Sequence, residues 1–223
     1  MRHDPAEPLT RPRWLDPALI LLAVSLLGLS GYLASELLEG ESFAFDRYIL
    51  LALRRPGHLN VPIGPVWLQQ SAIDISALGG FTLMWLAGGT AIALFVRAGR
   101  HAQAAWLALS LIGASMLDAL LKQWLHRPRP DIVPHLARVT SASFPSGHAM
   151  IAAAVYLTLA LMIADAWPRT RRIAVVLAVT LVTLIGVSRV YFGVHWPSDV
   201  LAGWSLGVVC ALAVLAAARA THG

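Results

Sequence analysis

The sequence predicts an all-α membrane protein: a six-transmembrane-helix bundle with an additional outward-facing interfacial helix. Three observations predict it. Hydrophobic residues make up 57% of the 223-residue chain and charged residues 13%, about half the ~25% charged share of an ordinary soluble domain. Six stretches free of Asp, Glu, Lys and Arg run Pro17 to Ser35, Ile75 to Val96, Ala102 to Leu117, Ala149 to Ala164, Ile173 to Ser188 and Val200 to Ala218. Arginines gather in the short connections between them, as they do where basic residues set the orientation of membrane helices. So little charge cannot cover a water-facing surface, which excludes an ordinary cytosolic enzyme, a disordered chain and a fibrous protein.

Residues 1–16 carry Arg2, Arg11 and Arg13 and are expected to form a cytoplasmic N-terminal segment. The first apolar run exceeds the usual 7–15-residue core of a cleaved signal peptide, so a retained anchor is expected. A bilayer core needs about 20 apolar residues of helix, and shorter runs suffice when their ends tilt or snorkel. The first, second and last runs meet that length. The middle three are extended by flanking residues such as Ala119 to Leu121 and Ser146 to His148.

The segment 36–74 is too long for a simple turn. Within it Phe45, Tyr48, Ile49, Ala52 and Leu53 recur at helical spacing, with Asp46, Arg47, Arg54 and Arg55 on other positions. That pattern suits a helix lying on the outer leaflet or one closing the bundle. Arg97 and Arg100 mark one tight connection, and Arg169, Arg171 and Arg172 another. Both connections and both termini are therefore expected in the cytoplasm, with 36–74, 123–147 and 190–198 facing outward. Residues 17–218 are expected to form one six-span domain in the cell (inner or plasma) membrane, and 219–223 a cytoplasmic tail. Trp14, Trp67, Trp124, Trp167 and Trp196 fall near run ends, as interfacial tryptophans do, whereas Trp85, Trp106 and Trp204 are expected inside the bundle. The one cysteine, Cys210, excludes a disulfide framework and reads as a small buried hydrophobe. The net charge of +5 is accounted for by these topological arginines, and no nucleic acid partner is expected.

Three polar clusters stand at span ends: Lys122 to Pro130 after the third run, Ser143 to His148 before the fourth, and Ser188 to Asp199 between the fifth and sixth. Because span direction alternates, all three emerge on the same side of the membrane. Each alone has an ordinary explanation: a snorkelling lysine, a proline-terminated helix, a turn before a helix start, an i, i+4 surface pair. Together they bring Lys, Arg, His, Ser and Asp to one end of four consecutive spans, and ionisable groups at membrane depth are expensive enough to mark function.

These residue types suit phosphoryl transfer. Lys122, Arg129 and Arg189 supply cations for a phosphate, and arginine can grip its oxygens bidentately. Ser146 and Gly147 stand at a helix start, where backbone N–H groups bind anions. Of two histidines, His148 and His195, one can attack phosphorus while the other protonates the leaving alkoxide. Asp199, one turn after His195, can hold that ring's second N–H and fix its tautomer. No clustered carboxylate or Cys/His set suggests a metal, and no cofactor is expected.

Lys122 with six residues before Arg129-Pro130, then Pro145-Ser146-Gly147-His148, then Ser188-Arg189 with five residues before His195 and three before Asp199, resembles the complete signature of the type 2 phosphatidic acid phosphatase (PAP2) superfamily. Vanadium haloperoxidases and bacterial class A acid phosphatases share it. The resemblance implies that His195 is a nucleophile forming a phosphohistidine, with Asp199 orienting it. It implies that His148 is the general acid and later activates water, and that Lys122, Arg129, Ser146, Gly147 and Arg189 bind phosphate without a metal. Arg127-Pro128 duplicates the Arg-Pro pair; family spacing selects Arg129, leaving Arg127 as an auxiliary phosphate or interface contact. Asp118, four residues before Lys122, is expected to pair with it along the helix and is left outside the site.

The function expected is a membrane lipid phosphatase acting at the outer face on phosphatidylglycerophosphate, phosphatidic acid or undecaprenyl diphosphate. Its partners would be that lipid phosphate and the surrounding membrane lipids, with no obligatory protein partner. A phosphotransferase passing the group to another acceptor keeps the same site. A lipid or anion transporter would not require the paired histidines with Asp199, and a haloperoxidase is opposed by the six spans.

Overall fold

The computed structural model describes residues 17–39 and 43–221. The basic N-terminal segment with Trp14, and the last two residues of the expected tail, lie outside the described residues. The helices are α1 (Pro17–Leu38), α2 (Ala44–Ala52), α3 (Val66–Ala77), α4 (Phe81–Arg97), α5 (His101–Leu125), α6 (Gly147–Ala166), α7 (Arg171–Tyr191) and α8 (Pro197–Ala220). A single 3₁₀ turn, Pro168–Thr170, joins α6 to α7, and a two-stranded hairpin of β1 (Arg54–Arg55) and β2 (His58–Pro62) follows α2.

Five of these helices are long and apolar enough to cross a membrane, and α3 with α4 makes a sixth crossing if the pair, bent by 47°, is one span. The apolar run from Ile75 to Val96 suggests a continuous helix, but the chain breaks at Leu78–Gly80. Backbone N–H groups of Leu78, Gly79 and Gly80 turn back onto Ile75, Ser76 and Ala77, closing α3 before α4 begins. Tandem glycines cost helix stability, and composition alone did not register them.

Helix α6 is the centre of the bundle, packed against α5, α7 and α8. Its buried face is built from Ala149, Ala152, Ala153 and Ala154, small residues that let membrane helices approach closely where hydrophobicity gives no preference for helix over lipid. Helix α8 answers with Gly203 and Gly207, one turn apart. A Cβ on Gly203 would stand 2.7 Å from the Ser146 carbonyl oxygen, and one on Gly207 would stand 2.4 Å from that of Met150. The two backbones therefore touch, and that contact fixes the start of α6 beside the start of α8.

The expected helix in 36–74 is present as α2, with Phe45, Tyr48 and Ile49 exposed as an interfacial stripe requires. Its other face is not solvated, however: Asp46 and Leu50 are fully buried against the bundle. Trp85 is also turned outward at 37% exposure, correcting its expected place inside the bundle; it packs on Phe81 of the same helix. Trp204 does sit inside, its indole N–H donating to the Val182 carbonyl at 3.1 Å.

Candidate active site

Helix α5 ends at His126, held in a left-handed conformation, and the prolines at 128 and 130 prevent its resumption. Lys122 lies in its last turn and pairs with Asp118. The loop that follows leads to Ser146, the N-cap of α6. Ser146 is completely buried and its hydroxyl has no hydrogen-bond partner. That hydroxyl, together with the unpaired N–H groups and positive dipole end of the first turn of α6, forms an anion cradle. Ser146 itself is anchored from behind, its N–H donating to the Asp199 carbonyl at 3.0 Å.

The third cluster hangs from the end of α7. Arg189 is buried and donates to Ser76 Oγ at 2.9 Å, so the first limb of the bent span reaches the site. Ser188, by contrast, turns back on its own helix and donates to the Ile185 carbonyl. Gly193, with φ +69°, makes the tight turn that a side chain would strain and delivers His195 just ahead of α8. Pro197 is at the first position of that helix and Asp199 in its first turn, a combination that favours helix initiation. One Asp199 oxygen, Oδ2, accepts the Trp196 N–H at 2.9 Å and also the Ser143 hydroxyl.

His195 and Asp199 are 2% and 0% exposed. His195 Nδ1 stands 3.4 Å from Asp199 Oδ2, an electrostatic contact with no well-directed hydrogen bond at that nitrogen. On the opposite edge of the ring, Arg129 Nη1 lies 3.3 Å from Nε2 and donates to the Val194 carbonyl at 2.6 Å. A guanidinium can only donate, so Nε2 is the ring's lone-pair atom and Nδ1, facing the carboxylate, carries the proton. Burial, the largest cause, pulls the His195 pKa down to about 4, with Asp199 opposing and Arg129 and Arg189 adding to the fall. The imidazole is thus neutral near pH 7, with its lone pair turned to the cationic side of the site. His148, in the first turn of α6, lies within electrostatic reach of Arg189, His195, Lys122 and Arg129. All eight residues singled out from the sequence converge at one end of the bundle.

Sequence reasoning misassigned or missed three supporting residues, Arg127, Asp46 and Ser143, and a fourth, Asp118, has a contact beyond the expected one. Arg127 is buried among protein groups. It donates to Asp199 Oδ1 at 2.5 Å, to Ser198 Oγ at 2.7 Å and to Asp46 Oδ2 at 2.9 Å, and it lies over the Trp196 ring. It therefore acts on Asp199 from behind, away from any phosphate in the cradle. Asp46 completes that network from α2, accepting the Ser198 N–H at 2.8 Å; burial pushes its carboxyl pKa up, while Ser198 and Arg127 oppose the rise. Asp118 pairs with Lys122 as expected, but its carboxylate also lies against Gly147: a Cβ there would come within 2.9 Å of it. Ser143 and Asp46 carry no sequence signal of their own; only the duplicated Arg-Pro hinted at Arg127. Among the described residues no cluster of three or more His, Cys, Asp or Glu side chains could hold a metal.

A family model described as PAP2 superfamily matches residues 103–222. Phosphatidylglycerophosphatase B of Bacillus subtilis (strain 168) is 42% identical over 97 residues, covering 42% of this chain and 47% of that protein. Lipid A 1-phosphatase of Rhizobium etli is 32% identical over 168 residues, covering 70% of this chain and 67% of that protein. The crystal structure of a transmembrane PAP2 type phosphatidylglycerolphosphate phosphatase from Bacillus subtilis has a TM-score of 0.71 at 29% identity, covering 86% of this chain and 94% of that one. The chain spans about half the length of the first of these curated relatives.

Proposed function

Because this chain belongs to the PAP2 superfamily, we propose that it is an integral membrane lipid phosphatase working through a phosphohistidine on His195. The carrying observation is the pair of contacts on the His195 ring: Asp199 at Nδ1 and Arg129 at Nε2. They leave a neutral nucleophilic nitrogen facing the cations that would hold its electrophile.

In the first step the Nε2 lone pair forms a bond to phosphorus as the phosphorus–oxygen bond to the lipid breaks. His148 gives its proton to the departing oxygen, which leaves as an alcohol or, from a diphosphate, as a lipid monophosphate. Asp199 stabilises the positive charge that develops on the ring. Lys122, Arg129, Arg189, the Ser146 hydroxyl and the Gly147 backbone hold the phosphoryl oxygens and balance charge in the transition state. In the second step His148 takes a proton from water, the water oxygen attacks phosphorus, and the nitrogen–phosphorus bond breaks to release inorganic phosphate. The side chains alone supply the cations, so no metal is required.

The substrate class is a phosphorylated or diphosphorylated membrane lipid: phosphatidylglycerophosphate, phosphatidic acid or undecaprenyl diphosphate. The names of relatives support that range, since they include phosphatidylglycerophosphatase B, lipid A 1-phosphatase and an undecaprenyl-diphosphatase. Both termini are placed in the cytoplasm and the site on the periplasmic or extracellular side, because Arg97, Arg100, Arg169, Arg171 and Arg172 all gather at the other end.

Purified protein should release phosphate from these lipids in the presence of a chelator, with kcat/KM compared across the panel to rank them. Brief incubation of His148→Ala with labelled substrate should accumulate an acid-labile phosphoenzyme. A strict need for added divalent metal, or a phosphoenzyme that survives in a His195→Gln/His148→Ala double variant, would overturn the mechanism.

A further inference from the structure

A cavity of about 340 Å³ opens at the end of the bundle remote from the histidines, within the size range of small-ligand sites. It is formed where α5 begins and α6 and α8 end, and its apolar depth includes Leu161, Met162, Val214 and Leu215. Met162 is fifteen residues along α6 from Gly147, about 22 Å at 1.5 Å per residue, so the two sites face opposite leaflets. Arg100, the N-cap of α5, Arg171 of α7 and Arg219 of α8 line it, as does one acid, Asp165. Trp106 lines the same cavity, and its indole N–H is buried without an acceptor. An orphaned buried donor costs about 1–3 kcal/mol and calls for an oxygen to accept it.

We propose that this cavity binds one anionic phospholipid of the leaflet opposite the phosphate site, its phosphodiester on the arginines and an acyl chain against Leu161, Met162 and Leu215. The polar groups of the lining are three arginines with Gln103, Trp106, Thr158 and Asp165, a set whose net charge favours an anion. It also disfavours a zwitterionic lipid, whose choline would face the excess of guanidinium groups. Basic pockets between membrane helices recognise anionic head groups in this way, each cation near the surface contributing about 1 kcal/mol. The inference goes beyond the phosphatase reading and does not depend on it.

The test compares delipidated full-length protein with the triple variant Arg100→Gln/Arg171→Gln/Arg219→Gln, titrated with phosphatidylglycerol, phosphatidylcholine or inorganic phosphate and read by native mass spectrometry. Binding at the phosphate site is common to both proteins, so their difference isolates the cavity. The expected result is one additional phosphatidylglycerol on the unaltered protein, with at least tenfold weaker binding in the triple variant and no such difference for phosphatidylcholine. Leu215→Trp, which fills the depth and keeps the arginines, should lose the same lipid. Both variants should keep the size-exclusion elution and the thermal unfolding midpoint of the unaltered protein, which confirms that they are folded. Equal phosphatidylglycerol binding in all three proteins would overturn the proposal, as would phosphatidylcholine bound as tightly as phosphatidylglycerol. Displacement of the lipid by equimolar inorganic phosphate would replace it with a free-anion site.

Discussion

The two ends of α7 differ sharply although one helix carries both. At its start Arg171, Arg172, Ile173, Val176 and Leu177 are exposed, the arginines with them. At its end and through the following turn, every residue from Ser188 to Val200 except Trp196 is buried, including Arg189, His195 and Asp199. Charge at the first end is held where it can reach water and lipid head groups, which costs little. Charge at the second end is desolvated and survives only because each group has partners: Ser76 for Arg189, Arg127 and Ser143 for Asp199, Asp46 for Arg127. One end is therefore solvated, and the other an interlocked cluster in which the loss of one partner is felt by its neighbours.

Several substitutions would break or sharpen that contrast. His195→Ala removes the proposed attacking atom, and phosphate release should fall by about 10⁶-fold, the scale seen when a nucleophile is deleted, while size-exclusion behaviour stays unchanged. Asp199→Asn should lower kcat by about 10²–10⁴-fold through loss of the tautomer lock, and it should also move the pH profile. Attack requires neutral His195, whose pKa is about 4 with Asp199 raising it. Removing that carboxylate lowers the pKa further, so the acid limb of kcat/KM shifts to lower pH; an upward shift would refute the assigned tautomer.

Arg127→Met leaves two buried carboxylates facing one another and should cost about 3–5 kcal/mol in unfolding free energy, read as a drop in Tm, with partial recovery in the Arg127→Met/Asp46→Asn double variant. Gly203→Ala drives a methyl toward the Ser146 carbonyl at 2.7 Å and should cost about 1–3 kcal/mol by overpacking. Its activity loss should appear in KM as the cradle moves. At the other end of α7, Arg172→Gln should change stability by no more than about 0.5 kcal/mol and leave turnover unaltered.

Much of this was legible before folding. The spacing from Lys122 to Asp199 singled out eight residues that the fold gathers at one end of the bundle, because side-chain identity at fixed intervals near span ends survives any detail of packing. Helix α2 was legible as a stripe of apolar residues, but its function was not: Asp46 looked like the polar face of a surface helix, and the fold buries it under Arg127. The break between α3 and α4 was lost inside a continuous apolar run. Trp85 gave no cue to its direction, since lipid and protein interior are equally apolar and an aromatic residue is admitted by both.

Composition, period and spacing by themselves determined that this chain crosses the membrane and which side chains meet at one end. Those properties follow from transfer free energy and from the alternation of span direction, both nearly local. Only the tertiary structure decided which nitrogen of His195 is free, what balances Asp199, and that Arg127 faces inward. These depend on hydrogen bonds between residues far apart in sequence, such as Arg127 with Asp46 and Arg129 with Val194. In a medium of low dielectric, a displacement of an ångström or so decides whether such a pair is satisfied or orphaned.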